Sequence, residues 1–282
     1  MTTVPRHPTD ESTAWEEIED LSPQVIMYLD HVGKNAAALK NLQQTTLMLT
    51  QWRTVVDPAA EQPETWEDLR IAAQAATAVF TAADTGEGRP VETVVAKPVR
   101  FAATGPVSAA NPGAWLNAAW LAVIDRNDAL IQRLCAVSPE TLRAAGTEHD
   151  AYLEPWVETV RTFLAHREVT PELFGAVMDG TDPDNARITP PRVMLQLVYP
   201  PIRAFYHLLR RDQAQFTAAL TEAVRQHRTF WSADGLADSP DGFLALAPLA
   251  IAVLARSAGM STDIESEYLP RNFLTGIRPA GE

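Results

Sequence analysis

The chain has 282 residues, 46% of them hydrophobic, which is enough apolar material for a core and excludes a disordered chain. Its 36 acids and 23 lysines and arginines give a formal charge of −13, so the cationic surface that nucleic acids require is missing in bulk. A single cysteine, Cys135, excludes an internal disulfide framework and a cysteine zinc site, and we expect it to be a small core residue.

The acidic residues suggest one division of the chain. Six acids lie between Asp10 and Asp20, so we predict a polar acidic segment over residues 1–20 and a single helical domain over residues 21–282. The negative field favours encounter with a basic partner. Acidity that simply keeps a protein soluble explains the same charge equally well.

No segment predicts a membrane helix or a secretory signal. The longest apolar run, residues 243–255, falls short of the ~18–20 residues that a membrane helix needs and contains Pro248. The first twelve residues have no basic region followed by an apolar stretch. We therefore expect a cytoplasmic bacterial protein with no membrane partner.

Local signals predict helices over the first third of the chain. Ser22-Pro23 has the form of a cap followed by a first-turn proline, and it predicts a helix start before a long helical stretch over residues 24–56. Gly33 should break this stretch. Asp57-Pro58 should end it, because the residue before a proline avoids the helical region.

One segment departs from the helical pattern. Two short β-branched runs, residues 91–95 and 99–101, flank a turn and predict a β-hairpin near residues 91–101, although Pro98 is unfavourable inside a strand.

From Asn111 onward, capping residues before prolines predict a series of short helices. The starts are Asn111-Pro112, Ser138-Pro139, Thr170-Pro171, Thr189-Pro190 and Ser239-Pro240, with Asp212 capping a further helix. Tyr199-Pro200-Pro201 should kink a helix, because two prolines remove two backbone donors. The tail after Gly259 is expected to be an extended strap. The fold class predicted is all-α, an irregular stack of antiparallel helix pairs of the solenoid or bundle type.

Motifs of catalysis are not evident in the sequence. It has no glycine-rich phosphate loop, no G-x-S-x-G elbow and no H-E-x-x-H motif. No two of its six histidines are three or four residues apart, so no helix presents a histidine pair to a metal. We predict no catalytic, metal-binding or cofactor-binding residues and no cofactor. A serine triad assembled only by the fold would leave no such motif.

The most enzyme-like feature is His227, which shares an apolar helix face with Trp231. If the protein were an enzyme, Tyr199, Tyr206 and His227 would be the residues of its pocket. A core histidine with satisfied hydrogen bonds explains His227 as well, and we favour that explanation.

An ordered set of segments resembles the immunity protein 49 family. In the C-terminal third these are Tyr199-Pro-Pro-Ile202 with Phe205-Tyr206, Phe216 to His227 and Trp231, and residues 245–250 followed by residues 265–270. Upstream they are Asp57-Pro58-Ala59, residues 103–106 and Trp115 to Val123. The similarity spans roughly residues 40–275, and Ala247 stands where glycine is expected.

The resemblance implies a largely helical immunity protein of a bacterial polymorphic toxin system, which inhibits a cognate toxin by binding it and needs no chemistry. The matching residues imply scaffold positions, and no functional residue is carried over from the family. As candidate partner contacts we take the acid-rich N-terminal stretch and the C-terminal strap: Glu16, Glu17, Glu19, Asp20, Glu265, Glu267 and Tyr268. Structural roles explain these residues as well, a solvated helix face for the acidic stretch and a lid for the strap, and we favour these structural roles over partner contact.

Two other functions fit the same sequence. One is a helical enzyme or tailoring protein of the same family, with a ligand or metal in a pocket at Tyr199, Tyr206 and His227. The other is a scaffold protein that binds partners other than a toxin.

Overall fold

A computed structural model describes residues 2–182 and 184–279, and helices make up most of them. The α-helices are α1 (Glu11–Val32), α2 (Ala38–Val56), α3 (Pro63–Asp84), α4 (Pro112–Ile124), α5 (Asp128–Ala136), α6 (Pro139–Ala144), α7 (Leu153–Leu164), α8 (Pro171–Gly180), α9 (Pro191–Val193), α10 (Tyr199–Leu209), α11 (Gln213–Trp231), α12 (Leu246–Ser257) and α13 (Arg271–Thr275). The strands are β1 (Thr2–Thr3), β2 (Pro90–Val95), β3 (Lys97–Ala102) and β4 (Ile264–Glu265). The predicted all-α class is confirmed.

Helix α1 corrects the helix start predicted at Ser22-Pro23. The helix begins upstream, where the Asp10 carboxylate accepts a hydrogen bond from the backbone N–H of Ser12, and it runs through Pro23 without a break. A proline inside a helix removes one backbone donor. The Ser22 hydroxyl donates to the Ile18 carbonyl at 2.6 Å, one residue before the Glu19 carbonyl that an N–H at position 23 would have bonded.

The same helix crosses residue 20, where the predicted acidic segment ends, so the first twenty residues are continuous with the helices that follow. The break predicted at Gly33 is confirmed, because residues 33–37 separate α1 from α2. The end predicted at Asp57 is confirmed as well. The single helical domain over residues 21–282 stays a prediction.

Consecutive helices pack together most extensively as α1 with α2, α2 with α3, and α10 with α11. Helix α4 is the centre of the core, since it packs against α3, α5, α7 and α12 and ten of its residues are buried. Its Trp115 side chain is fully buried and donates a hydrogen bond from Nε1 to the Leu134 carbonyl at 3.0 Å. This hydrogen bond satisfies the indole N–H in an apolar setting.

The predicted β-hairpin is confirmed. Strands β2 and β3 pair in antiparallel fashion, with Val95 opposite Lys97 and Ala96 at the turn with φ of +58°. The backbone N–H of Ala96 donates to the Gln74 side chain at 2.8 Å, which ties the turn to α3. Pro98 is tolerated because both strands are edge strands.

The kink predicted at Pro200-Pro201 takes the form of a wider helical turn. Residues Met194–Val198 form a π-helix that joins α9 to α10 without a gap. The Tyr199 N–H donates to the Met194 carbonyl, five residues back, just before the two prolines that lack an N–H. Short π turns inside helices are frequent at functional sites.

The two ends of the described chain are joined in a strap; the sequence predicts the extended tail but not its pairing with β1. Strand β1 pairs with β4 in parallel fashion, and the Val4 N–H donates to the Glu265 carbonyl at 2.9 Å. The buried Arg6 guanidinium donates to the carbonyls of Thr54 at 2.8 Å and Glu267 at 2.7 Å. These bonds connect α2 with both ends of the chain.

Residues Pro240–Ser257 are the one segment of the described chain long and apolar enough to cross a membrane, with mean hydropathy 1.3. In the structure 61% of this segment is buried inside the protein, as is common for a core helix. It is divided into a short 3₁₀ turn at Pro240–Gly242 and helix α12.

Candidate binding surfaces

An open groove of about 660 Å³ lies between α8 and α10. We call it the Tyr–Arg groove, and its principal lining residues are Phe174 and Gly175 of α8, Tyr199, Arg203 and Tyr206 of α10, and Arg210, the C-cap of α10. The last four of these positions follow one another at intervals of three and four residues, so they share one helix face. A single face of α10 therefore presents alternating tyrosine and arginine side chains to the groove.

Aromatic contacts fix the centre of the groove. The Tyr206 ring lies 5.3 Å from the Phe174 ring across the groove, and 37% of Tyr206 remains exposed. The Arg210 guanidinium lies 5.6 Å from the centroid of the Tyr206 ring, within cation–π range. His207 also lines the groove; burial, together with Arg203, lowers its pKa, and its buried Nδ1 has no hydrogen-bond partner among the described residues.

The loop leading into this region is held by Asp150. Its buried carboxylate accepts hydrogen bonds from the backbone N–H groups of Arg187, Ile188 and Thr189, at 2.6, 3.0 and 2.7 Å. Burial opposes ionisation, but these hydrogen bonds hold the pKa of Asp150 well below its usual range. The anchored loop leaves Ile188 52% exposed at the approach to α9.

The structure brings together only two of the three residues predicted to form an enzyme pocket. Tyr199 and Tyr206 both line the Tyr–Arg groove, but His227 does not. His227 lies on the buried face of α11, where its Nε2 donates to the Gly242 carbonyl at 3.0 Å. The position of His227 agrees with its interpretation as a core histidine. The histidine that does line the groove is His207, which sequence reasoning missed.

His227 belongs to a buried polar cluster behind the strap. The His7 Nδ1 accepts a hydrogen bond from the Tyr268 hydroxyl at 2.7 Å, and its Nε2 donates to the Ala237 carbonyl at 2.9 Å. The His227 ring lies 4.9 Å from the Tyr268 ring at 72°, an edge-to-face contact. The cluster joins the first residues of the chain to α11 and to the C-terminal strap.

This cluster corrects one predicted partner contact. Tyr268 is fully buried, so it is not available to a partner in this structure. Glu267 is exposed but its carboxylate accepts a hydrogen bond from the Arg6 N–H at 3.0 Å, and Glu265 is exposed at the end of β4. The strap residues thus have structural contacts of their own, as the lid explanation expects.

Because two histidines are buried, we expect the protein to lose stability in mild acid. Burial lowers the pKa of His227 from 6.5 to about 4 and also lowers the pKa of His7. Between pH 6.5 and about pH 4, His227 binds a proton more readily in the unfolded chain than in the folded protein. The free energy of unfolding therefore falls as the pH drops through this range. We expect His227 alone to cost about 2 kcal/mol of unfolding free energy between pH 7.5 and pH 5.

Urea unfolding of the wild type and of His227→Gln at the two pH values measures this effect. The glutamine amide can still donate to the Gly242 carbonyl, and its stability should change less with pH. The difference between the two proteins isolates His227, because Asp68, whose pKa burial raises to about 6, titrates in both with the opposite sign. Equal pH dependence of the two proteins would contradict the assignment.

The remaining predicted contacts lie on α1. Glu16, Glu19 and Asp20 are exposed and Glu17 is half-buried, while Ala14, Ile18 and other residues of the opposite face are in the core. The same outward side carries exposed apolar residues: Trp15 is 53% exposed, Ile26 64% and Met27 45%. Helix α1 contains six acids and no lysine or arginine. We call this outward side the α1 acidic face.

Groups suited to catalysis or metal binding are sparse in the part of the chain that the structure describes. No cluster of three or more histidine, cysteine, aspartate or glutamate side chains within residues 2–182 and 184–279 is placed to hold a metal ion. Cys135 is half-buried beside the Arg161 carbonyl, and burial raises the pKa of its thiol. A raised pKa disfavours the thiolate that a nucleophilic cysteine needs.

The fold defines an all-α protein of packed helix pairs that presents an acidic helix face and a cationic aromatic groove. A family model described as Immunity protein 49 matches residues 57–273, which is more than half of the chain. The chain therefore belongs to the immunity protein 49 family, and the resemblance recognised in the sequence is confirmed. Membership suggests an immunity role without enzymatic activity and a toxin as the general kind of partner. Comparison with curated proteins and with solved structures returned no match.

Proposed function

We propose that this chain is an immunity protein that neutralises a cognate bacterial toxin by binding it directly, without chemical change to the toxin. The observation that carries the proposal is the family match over residues 57–273. The toxin is encoded beside this chain, as in polymorphic toxin systems, and is captured in the bacterial cytoplasm. A stable complex of this kind buries about 1,600 Å² in total around a few aromatic or arginine anchors.

The described residues favour binding over catalysis. Tyr199 and Tyr206 lie in an open groove, whereas His227 is buried elsewhere with its own hydrogen bond. The half-buried thiol of Cys135 is disfavoured as a nucleophile. These features support neutralisation by contact alone.

The α1 acidic face is the proposed toxin contact. It lies outside the part of the chain that the family model matches, so it is free to suit one particular toxin. Its six acids speed encounter with a basic partner, and a basic toxin surface is therefore the expected complement. Trp15 and Ile26 supply exposed apolar area among those charges.

Co-expression with the toxin encoded by the neighbouring gene tests the function. We expect the wild-type chain to restore growth of a bacterial host that the toxin alone arrests, and the two purified proteins to form a stable complex. Growth that stays arrested, with no complex in size-exclusion chromatography, would overturn the proposed function.

A charge-reversal variant tests the contact face. Glu16→Lys, Glu19→Lys and Asp20→Lys together should weaken toxin binding at least tenfold, mainly by slowing association, because they replace three exposed carboxylates with cations. The matched control is Glu148→Lys, Glu168→Lys and Glu172→Lys, which makes the same charge change at three exposed acids away from α1. Equal weakening by the two triple variants would show a general charge effect and would reject the α1 acidic face.

A further inference from the structure

The Tyr–Arg groove differs in charge from the rest of the protein. The chain carries a formal charge of −13, yet two arginines, Arg203 and Arg210, line the groove. None of its lining residues, all of which lie in the described part of the chain, is an aspartate or a glutamate. This local positive charge is opposite to the negative charge of the protein as a whole, and it favours an occupant that carries negative groups.

Its composition is typical of a binding surface. Tyrosine and arginine are the residues most enriched among side chains that dominate binding energy, and here they alternate along one helix face. Arg203 and Arg210 are exposed, so their guanidinium groups are free to form two-pronged hydrogen bonds with carboxylates. The half-exposed ring of Tyr206, in contact with Phe174, provides an aromatic wall at the centre.

The shape of the groove is elongated. A second depression of about 180 Å³ shares Tyr199 and Arg203 with the Tyr–Arg groove and continues to Leu195, which is 51% exposed. Glu222 lines this second depression, so the positive charge is confined to the Arg203–Arg210 part of the surface. From Leu195 to Arg210 the helix rises by roughly 22 Å at about 1.5 Å per residue. An extended polypeptide covers that distance with about six or seven residues.

In the part of the chain that the structure describes, no side chain fills the groove beside Gly175. A Cβ atom added at Gly175, on the α8 side, would meet no other atom within 4 Å. The glycine therefore leaves room in front of Tyr206 for a side chain of an occupant. The π-helical turn at Met194–Val198 lies at the Leu195 end of the same surface.

We propose that the Tyr–Arg groove binds an acidic polypeptide segment of a partner protein, with an aromatic or large aliphatic side chain against Tyr206 and Phe174 and carboxylates paired with Arg203 and Arg210. Charge complementarity selects the acidic residues, and the aromatic wall selects the anchor. This site is separate from the α1 acidic face, which has the opposite charge. The proposal does not depend on the partner being a toxin.

A positional-scanning library of fluorescein-labelled eight-residue peptides, measured by fluorescence polarisation on the purified full chain, tests the proposal. We expect the peptides that bind to be enriched in aspartate and glutamate around one Phe, Tyr, Trp or Leu. Arg203→Glu with Arg210→Glu should reduce their affinity at least tenfold. Arg89→Glu with Arg271→Glu, the same charge change at two exposed arginines outside the groove, should leave the affinity unchanged.

A blocking variant separates the groove from general charge effects. Gly175→Phe keeps every charge and fills the open space at the α8 side, so it should abolish peptide binding, whereas Gly175→Ala adds one methyl group and should weaken binding far less. Selection of basic or uncharged peptides, binding of small aromatic carboxylates without any peptide, or unchanged binding by Gly175→Phe would each overturn the proposal. Toxin rescue by the wild-type chain is scored separately, so the failure of one proposal is distinguishable from the failure of the other.

Discussion

Replacing Trp66 with alanine is expected to lower the free energy of unfolding by about 4 kcal/mol, because a large buried side chain is lost and a cavity is left. Trp66 is fully buried, and its Nε1 donates to the Ala60 carbonyl at 3.0 Å. Its ring meets the Phe273 ring edge-on at 4.7 Å, and the Arg278 guanidinium lies 4.0 Å from its centroid. One side chain thus ties α3 to the C-terminal helix α13.

Urea unfolding followed by circular dichroism measures this loss as a lower transition midpoint. The matched control is Trp15→Ala, which removes an equal side chain that is 53% exposed on α1 and should change stability by less than about 0.5 kcal/mol. A similar midpoint for the two variants would show that the burial of Trp66 is not what stabilises this junction.

The second large effect is expected from one glycine of α8. A Cβ atom at Gly180 would lie 2.7 Å from both the backbone nitrogen and the Cα of Tyr152, and backbone at that distance has to move. We expect Gly180→Ala to destabilise the protein by about 2–3 kcal/mol, the range that overpacking costs.

Gly175→Ala makes the identical change one and a half turns earlier in the same helix. Its added methyl group meets nothing within 4 Å, so the better helix propensity of alanine should raise stability by about 0.5–1 kcal/mol. Thermal unfolding of both variants compares them directly. If both raised the midpoint, the close approach of α8 to Tyr152 would be refuted.

Local capping chemistry predicted many helix starts correctly. The side chains of Asn111, Ser138, Thr170 and Asp212 each accept a hydrogen bond from a backbone N–H of the helix that follows. Ser22-Pro23 carries the same signal and was wrong as a helix start. Ile18 and Val25, before and after the proline, are both buried on one face of α1, so packing outweighed the local preference.

The groove was only partly accessible to sequence reasoning. Tyr199 and Tyr206 were identified, and their spacing with Arg203 and Arg210 on one helix face was the signal that could have completed the set. The arginines alone had the appearance of a solvated helix edge, because a sequence does not show that α8 lies opposite them. Sequence reasoning could not separate His227 from the two tyrosines of the alternative enzyme pocket for the same reason: periodicity gives the buried face of a helix but not the partner of that face.

The strap that joins β1 to β4 has a consequence for how the chain is made. Arg6 and His7 take their partners from Glu267 and Tyr268, which are 261 residues further along. During synthesis the first half of the strap leaves the ribosome well before the second half, because 261 residues separate Arg6 and His7 from Glu267 and Tyr268. Arg6 and His7 are therefore fixed only after most of the helices have been made, and a nascent chain stopped before residue 264 leaves the His7 imidazole without the Tyr268 hydroxyl.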